Sequence, residues 1–225
     1  MPAPAPDLDS QANPSVFSGE RLACRRGERL VFRGLDFRLA AGDALILTGP
    51  NGSGKSSLLR MMAGLTPPVS GILAWDGVPI GEDPAGHRAR LHYVGHSDAL
   101  KPVLSAAETL AFWARMRGTA AETGRALRQF GLERAAELPC RYLSAGQRRR
   151  LALARLLASP APLWLLDEPL TSLDDEGSAA LLAAIAAHRQ SGGRVVISTH
   201  LALAIADTAR LSLADFRSRA AEAAI

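Results

Sequence analysis

The sequence predicts an α/β fold built around a buried parallel sheet. Three continuous apolar runs, at 43–48, 163–166 and 194–199, have the length and composition of strands that are covered on both faces. Segments with helical periodicity follow the first two runs, at 54–63 and 181–188. A strand, a helix and a further strand in succession imply right-handed crossovers and parallel pairing.

Three further segments predict additional strands. Residues 30–39 alternate loosely between apolar and polar side chains, as a half-buried strand does. Residues 72–75 are followed by Asp76-Gly77, a dipeptide typical of a hairpin turn. Residues 91–94 form another short apolar run. The hairpin signal indicates that part of the strand structure is antiparallel.

A helical block interrupts this α/β core. The apolar pattern from 105 to about 158 is helical and lies between two predicted strands. We expect a helical subdomain at about 97–160, inserted into a single domain that spans 19–225. Residues 1–18 are rich in Pro, Ala, Ser and Asp and lack the features of a secretory signal, so we expect a flexible tail.

Composition and charge narrow the class of protein. The chain is 48% hydrophobic over 225 residues, yet no apolar run approaches the ~20 residues of a membrane-spanning helix, so we expect a soluble or peripheral protein. The net charge of +4 is carried by arginines spread along the chain, which favours a solvated surface over a nucleic-acid interface. Cys24 and Cys140 have no motif spacing, and we expect two free thiols.

A glycine-rich loop follows the first buried run. Residues 49–56 match the pattern G-x-x-x-x-G-K-[ST] between a predicted strand and a predicted helix. The backbone N–H groups of such a loop surround phosphate oxygens, Lys55 meets the β- and γ-phosphates, and Ser56 offers its hydroxyl to Mg²⁺. The alternative is a simple glycine-rich turn. The expected nucleotide-binding residues here are Gly49, Pro50, Asn51, Gly52, Ser53, Gly54, Lys55, Ser56 and Ser57.

Polar residues also follow the other two buried runs. Asp167 is expected to hold Mg²⁺, directly or through water, and Glu168 points to the other face, where it can act as general base toward the attacking water. His200 can hydrogen-bond the γ-phosphate and orient Glu168 or the water. The alternatives are acids that only end a strand and a structural histidine. The order of the motifs favours a catalytic set of Lys55, Glu168 and His200.

A second phosphate-binding signal lies at 143–147, where the chain has Leu-Ser-Ala-Gly-Gln. Ser144 is a good N-cap for the helix that follows, and Gly146 permits close approach of another molecule, with Gln147 beside it. Because Lys55 already serves the chain's own nucleotide, this second site would serve the nucleotide of a partner subunit. The alternative is a plain capped helix.

Together these motifs resemble those of the ATP-binding cassette (ABC) ATPases. The resemblance covers residues 20–213 and implies a P-loop NTPase fold with a RecA-like parallel-sheet core, an antiparallel β subdomain and an inserted helical subdomain. In that family two nucleotide-binding domains close over two ATP molecules, and hydrolysis reopens them and drives a transmembrane partner. The implied motifs are the Walker A loop at 49–56, the signature loop at 143–147, Walker B at 163–168, the D-loop at 172–174 and the switch histidine at His200.

Within this family the chain is similar to the ATP-binding subunits of bacterial haem exporters for cytochrome c maturation. Its signature has Ala145 where most members have glycine, and the stretches 131–157 and 164–174 look very similar to that subunit. The resemblance implies ATP hydrolysis with ATP and Mg²⁺, a homodimeric ATPase pair and integral membrane partner subunits. It also implies a peripheral position on the cytoplasmic face of the inner membrane of a bacterium.

Two departures from the family pattern affect the expected nucleotide contacts. His96 stands where most members have a glutamine, and a neutral imidazole can still make one hydrogen bond there. Arg26 stands where the family usually has an aromatic ring under adenine, and a guanidinium can stack on a flat base. The contact with Mg²⁺ and the base selectivity therefore stay open.

Two other functions compete with export of haem or a related cargo. A soluble ABC ATPase acting on nucleic acid or ribosomes usually carries a second cassette, zinc modules or long coiled coils, and none fits in 225 residues. A small P-loop kinase would need an acceptor site and would not need the loop at 143–147. We therefore expect a transport ATPase and no nucleic-acid partner.

Overall fold

A parallel sheet forms the centre of the computed structural model, which describes residues 15–119, 122–200 and 205–216. Within these ranges the sheet has five strands, and each pairs in parallel with its neighbours. In spatial order they are β6 (Leu91–Val94), β7 (Leu163–Asp167), β8 (Arg194–Ser198), β3 (Ala44–Thr48) and β9 (Thr208–Ser212). The predicted α/β class with a parallel-sheet core is confirmed.

A separate antiparallel sheet of four strands, counted over the same described ranges, packs beside the core. Its spatial order is β2 (Arg29–Leu39), β1 (Phe17–Arg26), β4 (Ser70–Trp75) and β5 (Val78–Pro79). The turn from β4 to β5 has positive φ at Asp76 (51°) and Gly77 (83°), as the predicted tight hairpin requires.

Helices cover both sheets and form the block between β6 and β7. The described ones are α1 (Lys55–Met62), α2 (Pro84–Ala89), α3 (Ala106–Met116), α4 (Thr123–Gln129), α5 (Ala145–Ala158) and α6 (Asp175–Gln190). Helix α1 ends as the sequence predicts, because Gly64 adopts a φ of 67° and its N–H donates to Met61 O at 2.8 Å. Helices α3, α4 and α5 pack on one another and make the helical block.

The parallel sheet separates two apolar cores. Successive residues of β7 alternate between them: Leu165 belongs to the core shared with α1 and the antiparallel sheet, and Leu166 to the core shared with α5 and α6. Both residues are fully buried. This burial on two faces explains why the strand is a continuous apolar run.

Three elements were not predicted from the sequence: β1, α2 and β9. Strand β1 begins at Phe17, so two residues of the predicted 1–18 tail lie in a sheet, and residues 1–14 lie outside the described ranges. Both cysteines are buried free thiols, as expected.

None of the helices in the described ranges combines the length and the apolar character that a bilayer crossing requires.

Candidate functional site

The glycine-rich loop connects β3 to α1 and adopts a conformation that only glycine tolerates well. Gly49, Gly52 and Gly54 have φ values of 132°, 77° and 106°. A Cβ atom on Gly49 would lie 2.8 Å from Ser53 Oγ, and one on Gly54 would lie 2.7 Å from a methyl carbon of Val31. The glycines are therefore required for this backbone path, independently of any ligand.

Lys55 is the first residue of α1 and is only 7% exposed. Its Nζ donates hydrogen bonds to Gly49 O at 2.8 Å and to Pro50 O at 3.4 Å, so the ammonium group lies across the loop. Buried Ser53 has a side-chain oxygen with no hydrogen-bond partner among the described residues. A cation and an unsatisfied hydroxyl inside a curled loop fit a bound phosphate chain.

The N-terminus of α1 adds to this fit. Its N-cap is Gly54, and no side chain in the described part of the chain caps the first turn. The free N–H groups and the positive end of the helix dipole favour an anion at this position. By contrast, α5 begins with a capping box, in which Gln147 N donates to Ser144 Oγ at 3.1 Å and Ser144 N donates to Gln147 Oε1 at 2.9 Å.

An open cleft of about 740 Å³ brings several predicted residues together. Ser56 and Ser57 line it from α1, and Asp167 lines it from the end of β7. Asp167 is 5% exposed and accepts a hydrogen bond from Ser198 Oγ. Magnesium in phosphate sites uses one or two protein oxygens together with phosphate oxygens, and a hydroxyl facing a carboxylate across a cleft suits it. His96 and Arg26 line the same cleft.

Glu168 and His200 form a pair at the neighbouring carboxyl ends of β7 and β8. Glu168 Oε2 lies 3.0 Å from His200 Nδ1. The backbone N–H of Glu168 donates to Ser198 O and Ser198 Oγ, both at 3.1 Å. Glu168 has a φ of 47°, a conformation that costs a residue with a side chain roughly 1–3 kcal/mol and is common at functional sites.

The residues at 143–147 lie at the N-terminus of α5, and the cleft described above is lined by other residues of the described chain. A Cβ atom on Gly146 would lie 3.5 Å from Ser172 O, so the signature-like loop contacts the segment at 172–174. Ser172 also has a positive φ of 66°. The cleft thus brings together Ser56, Ser57 and Asp167, and its lining among the described residues includes neither the residues at 143–147 nor Lys55, Glu168 and His200.

Two buried arginines of α5 were missed by the sequence reasoning. Arg149 and Arg155 are 4% and 6% exposed, and both contact the segments that carry the site. Arg155 donates to Tyr93 O and lies over the Trp113 ring at 4.9 Å, and burial lowers its pKa to about 10. Each stands four residues from a buried leucine, Leu153 for Arg149 and Leu151 for Arg155, and at Arg149 the run of arginines at 148–150 obscures this spacing.

Comparison with known proteins shows the family to which the chain belongs. The family model for the ABC transporter matches residues 32–171. The chain belongs to the ABC transporter family of ATP-binding proteins, and its fold is the ABC ATPase form of the P-loop NTPase fold.

Two similar curated proteins carry the description "Cytochrome c biogenesis ATP-binding export protein CcmA". The protein from Paramagnetospirillum magneticum is 56% identical over 207 residues, which cover 90% of this chain and 95% of that one. The protein from Rhodospirillum rubrum is 55% identical over 205 residues, covering 90% and 88% of the two chains.

Solved structures show the same fold at lower identity. An ABC transporter ATP-binding protein from Pyrococcus furiosus has a TM-score of 0.80 at 22% identity, with 90% of this chain and 100% of that chain covered. A bacterial Atm1-family ABC exporter solved with ATP bound has a TM-score of 0.78 at 24% identity, with 92% of this chain and 38% of that chain covered. At these identities the likeness concerns the fold alone.

Proposed function

We propose that the chain is the ATP-hydrolysing subunit of an ABC exporter for c-type cytochrome biogenesis, and that its cargo is haem or a related molecule. The relatives at 45–56% identity support the exporter and its role in cytochrome c biogenesis. One observation supports the ATPase activity most strongly. Glu168 and His200 lie in contact at the edge of the sheet that also carries the Lys55 loop.

The chain's own residues would divide the hydrolytic work as follows. Lys55 and the N–H groups of the glycine-rich loop hold the phosphates, and Ser56 and Asp167 hold Mg²⁺. Glu168 accepts the proton of the attacking water, and His200 orients the Glu168 carboxylate through the contact at 3.0 Å. The magnesium ion supplies charge neutralisation on the phosphate oxygens when it is bound.

A second copy of the chain would complete each site. Ser144, Gly146 and Gln147 lie at the N-terminus of α5, where the positive end of the helix dipole favours an anion beside the capping box. The proposed arrangement is a homodimer in which these three residues contact the nucleotide held by the partner. The dimer would close when ATP binds and open after hydrolysis, and this conformational change would drive transport.

Integral membrane subunits would contact the helical block, which would transmit this conformational change to them. Val103 is 69% exposed in the segment that follows the loop carrying His96, and Met116 at the end of α3 is 64% exposed. Exposed apolar side chains on the helical block suit a protein partner. The chain would accordingly lie on the cytoplasmic face of the inner membrane.

Two residues of the cleft would adjust the nucleotide contact. Arg26 ends β1 at the cleft wall, where its guanidinium can stack on the adenine ring. His96, on the loop after β6, can donate or accept one hydrogen bond toward the water or the metal.

A complementation experiment tests the function. In a bacterium that lacks its own copy of the related subunit, this chain is expected to restore covalently haem-bound cytochromes, measured by haem staining of denatured protein. Glu168→Gln should fail and Glu82→Gln, which changes an exposed carboxylate outside the site and the helical block, should succeed, at equal protein levels. If Glu168→Gln restored the cytochromes, ATP hydrolysis at this site would not be needed for the function. If the unaltered chain failed when produced together with its own membrane subunits, the proposed role in cytochrome c biogenesis would be wrong.

A further inference from the structure

Arg149 is a buried cation whose side chain is fully used in hydrogen bonds. It is the fifth residue of α5 and is 4% exposed. A guanidinium has five N–H groups, and each has an acceptor here. The acceptors are Pro169 O (3.3 Å from Nε), Gly95 O and Asp98 Oδ1 (3.0 and 3.3 Å from Nη1), and Asp167 O and Glu168 O (3.2 and 2.9 Å from Nη2).

These acceptors come from two separate segments of the site. Three are successive carbonyl groups at 167–169, where β7 ends and the backbone needs other partners. The other two belong to the loop at 95–98, which follows β6 and carries His96. One side chain therefore ties the segment with the proposed general base to the loop that lines the cleft.

The backbone at Glu168 needs such support. Its φ of 47° is unfavourable for any residue with a Cβ, and it persists only where surrounding contacts hold it. On one side the N–H of Glu168 is bound by Ser198, and on the other its carbonyl is bound by Arg149 at 2.9 Å. The two peptide units that flank Glu168 are therefore both held, which fixes the direction in which its side chain leaves the backbone.

We infer that Arg149 is a positioning residue, which fixes the direction of the Glu168 carboxylate and couples it to the loop at 95–98. A displacement of that loop then changes the alignment of the base. The inference rests on the proposed role of Glu168. It requires the planar five-donor group of arginine, because a lysine has three donors on one nitrogen and cannot span both segments.

Arg149→Lys and Arg149→Gln test the inference in the full-length chain, with Arg189→Gln as matched control. Arg189 also binds three backbone carbonyls, of Gly42, Ala206 and Asp207, at 2.8, 2.7 and 2.9 Å, but where β3 and β9 begin, at the opposite edge of the parallel sheet from Glu168. Both Arg149 variants should lower kcat for ATP about 10- to 100-fold, while KM and equilibrium nucleotide affinity change less than about threefold, since small misplacement of a catalytic group has effects of this size. Arg189→Gln should lower the unfolding temperature and leave kcat unchanged.

Asp98→Ala tests the link to the loop by a milder change, because the Asp98 side chain is 26% exposed and its removal leaves the carbonyl contacts of Arg149 in place. It should lower kcat several-fold alone and add nothing in the Arg149→Gln background. If the Arg149 variants do not fold, this variant decides the question. Wild-type kcat in Arg149→Lys or in Asp98→Ala, or an equal loss of kcat in Arg189→Gln, overturns the inference. If Glu168→Gln abolishes turnover while Arg149→Lys does not, only this inference fails; if Glu168→Gln keeps full turnover, the proposed role of Glu168 fails.

Discussion

His200 Nδ1 lies 3.0 Å from Glu168 Oε2. The two residues follow β8 and β7, whose last residues, Ser198 and Asp167, are 31 positions apart in the chain and joined by a hydrogen bond. Parallel pairing of β7 with β8 aligns Asp167 with Ser198, so the residues that follow each strand meet at one edge. The Glu168 side chain is 22% exposed and that of His200 is 62% exposed. The histidine is therefore the more exposed member of the pair.

Glu168→Gln should lower ATP turnover by roughly 10²-fold or more, because an amide cannot accept the proton of the attacking water. ATP binding should persist, since the phosphates are held by the loop around Lys55. Phosphate release and equilibrium nucleotide binding are the measurements. Glu176→Gln changes an exposed carboxylate of α6 and serves as control. Undiminished phosphate release by the Glu168 variant would rule out its role as base.

Lys55→Ala should abolish ATP binding, because the loop loses the one ammonium group that lies across it at 2.8 Å from Gly49 O. The chain has a second lysine, Lys101, whose Nζ lies 4.7 Å from the centre of the Phe112 ring. Lys101→Ala is the matched control and should bind ATP as the unaltered chain does. Titration calorimetry compares the three proteins, and tight ATP binding by Lys55→Ala would contradict the phosphate contact.

Ser144→Ala should have two effects, one on stability and one on turnover. Loss of the capping box should destabilise the fold by about 1 kcal/mol. Ser105 caps α3 with the same kind of box, through Glu108, so Ser105→Ala should cost a comparable amount. Only Ser144→Ala should also reduce turnover, because only Ser144 would contact a partner's nucleotide. Equal turnover in the two variants would reduce Ser144 to a structural cap.

One buried histidine, His92, and one half-buried histidine, His188, should make stability fall in mild acid. Burial lowers the pKa of His92 to about 3 and of His188 to about 4, whereas an unfolded histidine titrates near 6.5. The folded state therefore holds these rings neutral. Their contribution is complete above about pH 6.5 and is lost as the pH falls toward the folded values, because the unfolded chain takes up the protons first.

Urea unfolding at about pH 7.5 and about pH 5 measures this loss. His188→Phe preserves the ring that stacks on Trp164, at 3.9 Å between centroids and 4° between planes, and removes its titration. Its stability should fall less between the two pH values than that of the unaltered chain. An identical decrease in both proteins would exclude His188 as a source.

The parts of the fold that the sequence predicted are those with strong local patterns. Strand β7 is buried on both faces, so every residue of it is apolar up to Asp167. Strand β1 was missed because its pairing is interrupted by irregularities, with a φ of 48° at Arg21, and β9 because it is a partly exposed edge strand. Helix α2 has only six residues and contains proline and glycine.

The site residues could be predicted because each motif is a short run of residues, in which local backbone geometry requires a fixed spacing. Arg149 could not be found in this way, because its function depends on two segments that lie far apart in the chain. In the sequence it stands between Arg148 and Arg150, where a solvated surface is the simpler interpretation.

The mass of Glu168→Gln in the presence of ATP and Mg²⁺ tests the central claim most directly. If the residues at 143–147 seal a partner's nucleotide, light scattering should show about twice the monomer mass of 23.8 kDa with ATP and the monomer mass without it. Adding Gly146→Asp should return the monomer, since a carboxylate would then face the phosphates. A monomer in every case, at full ATP occupancy, would contradict the shared site.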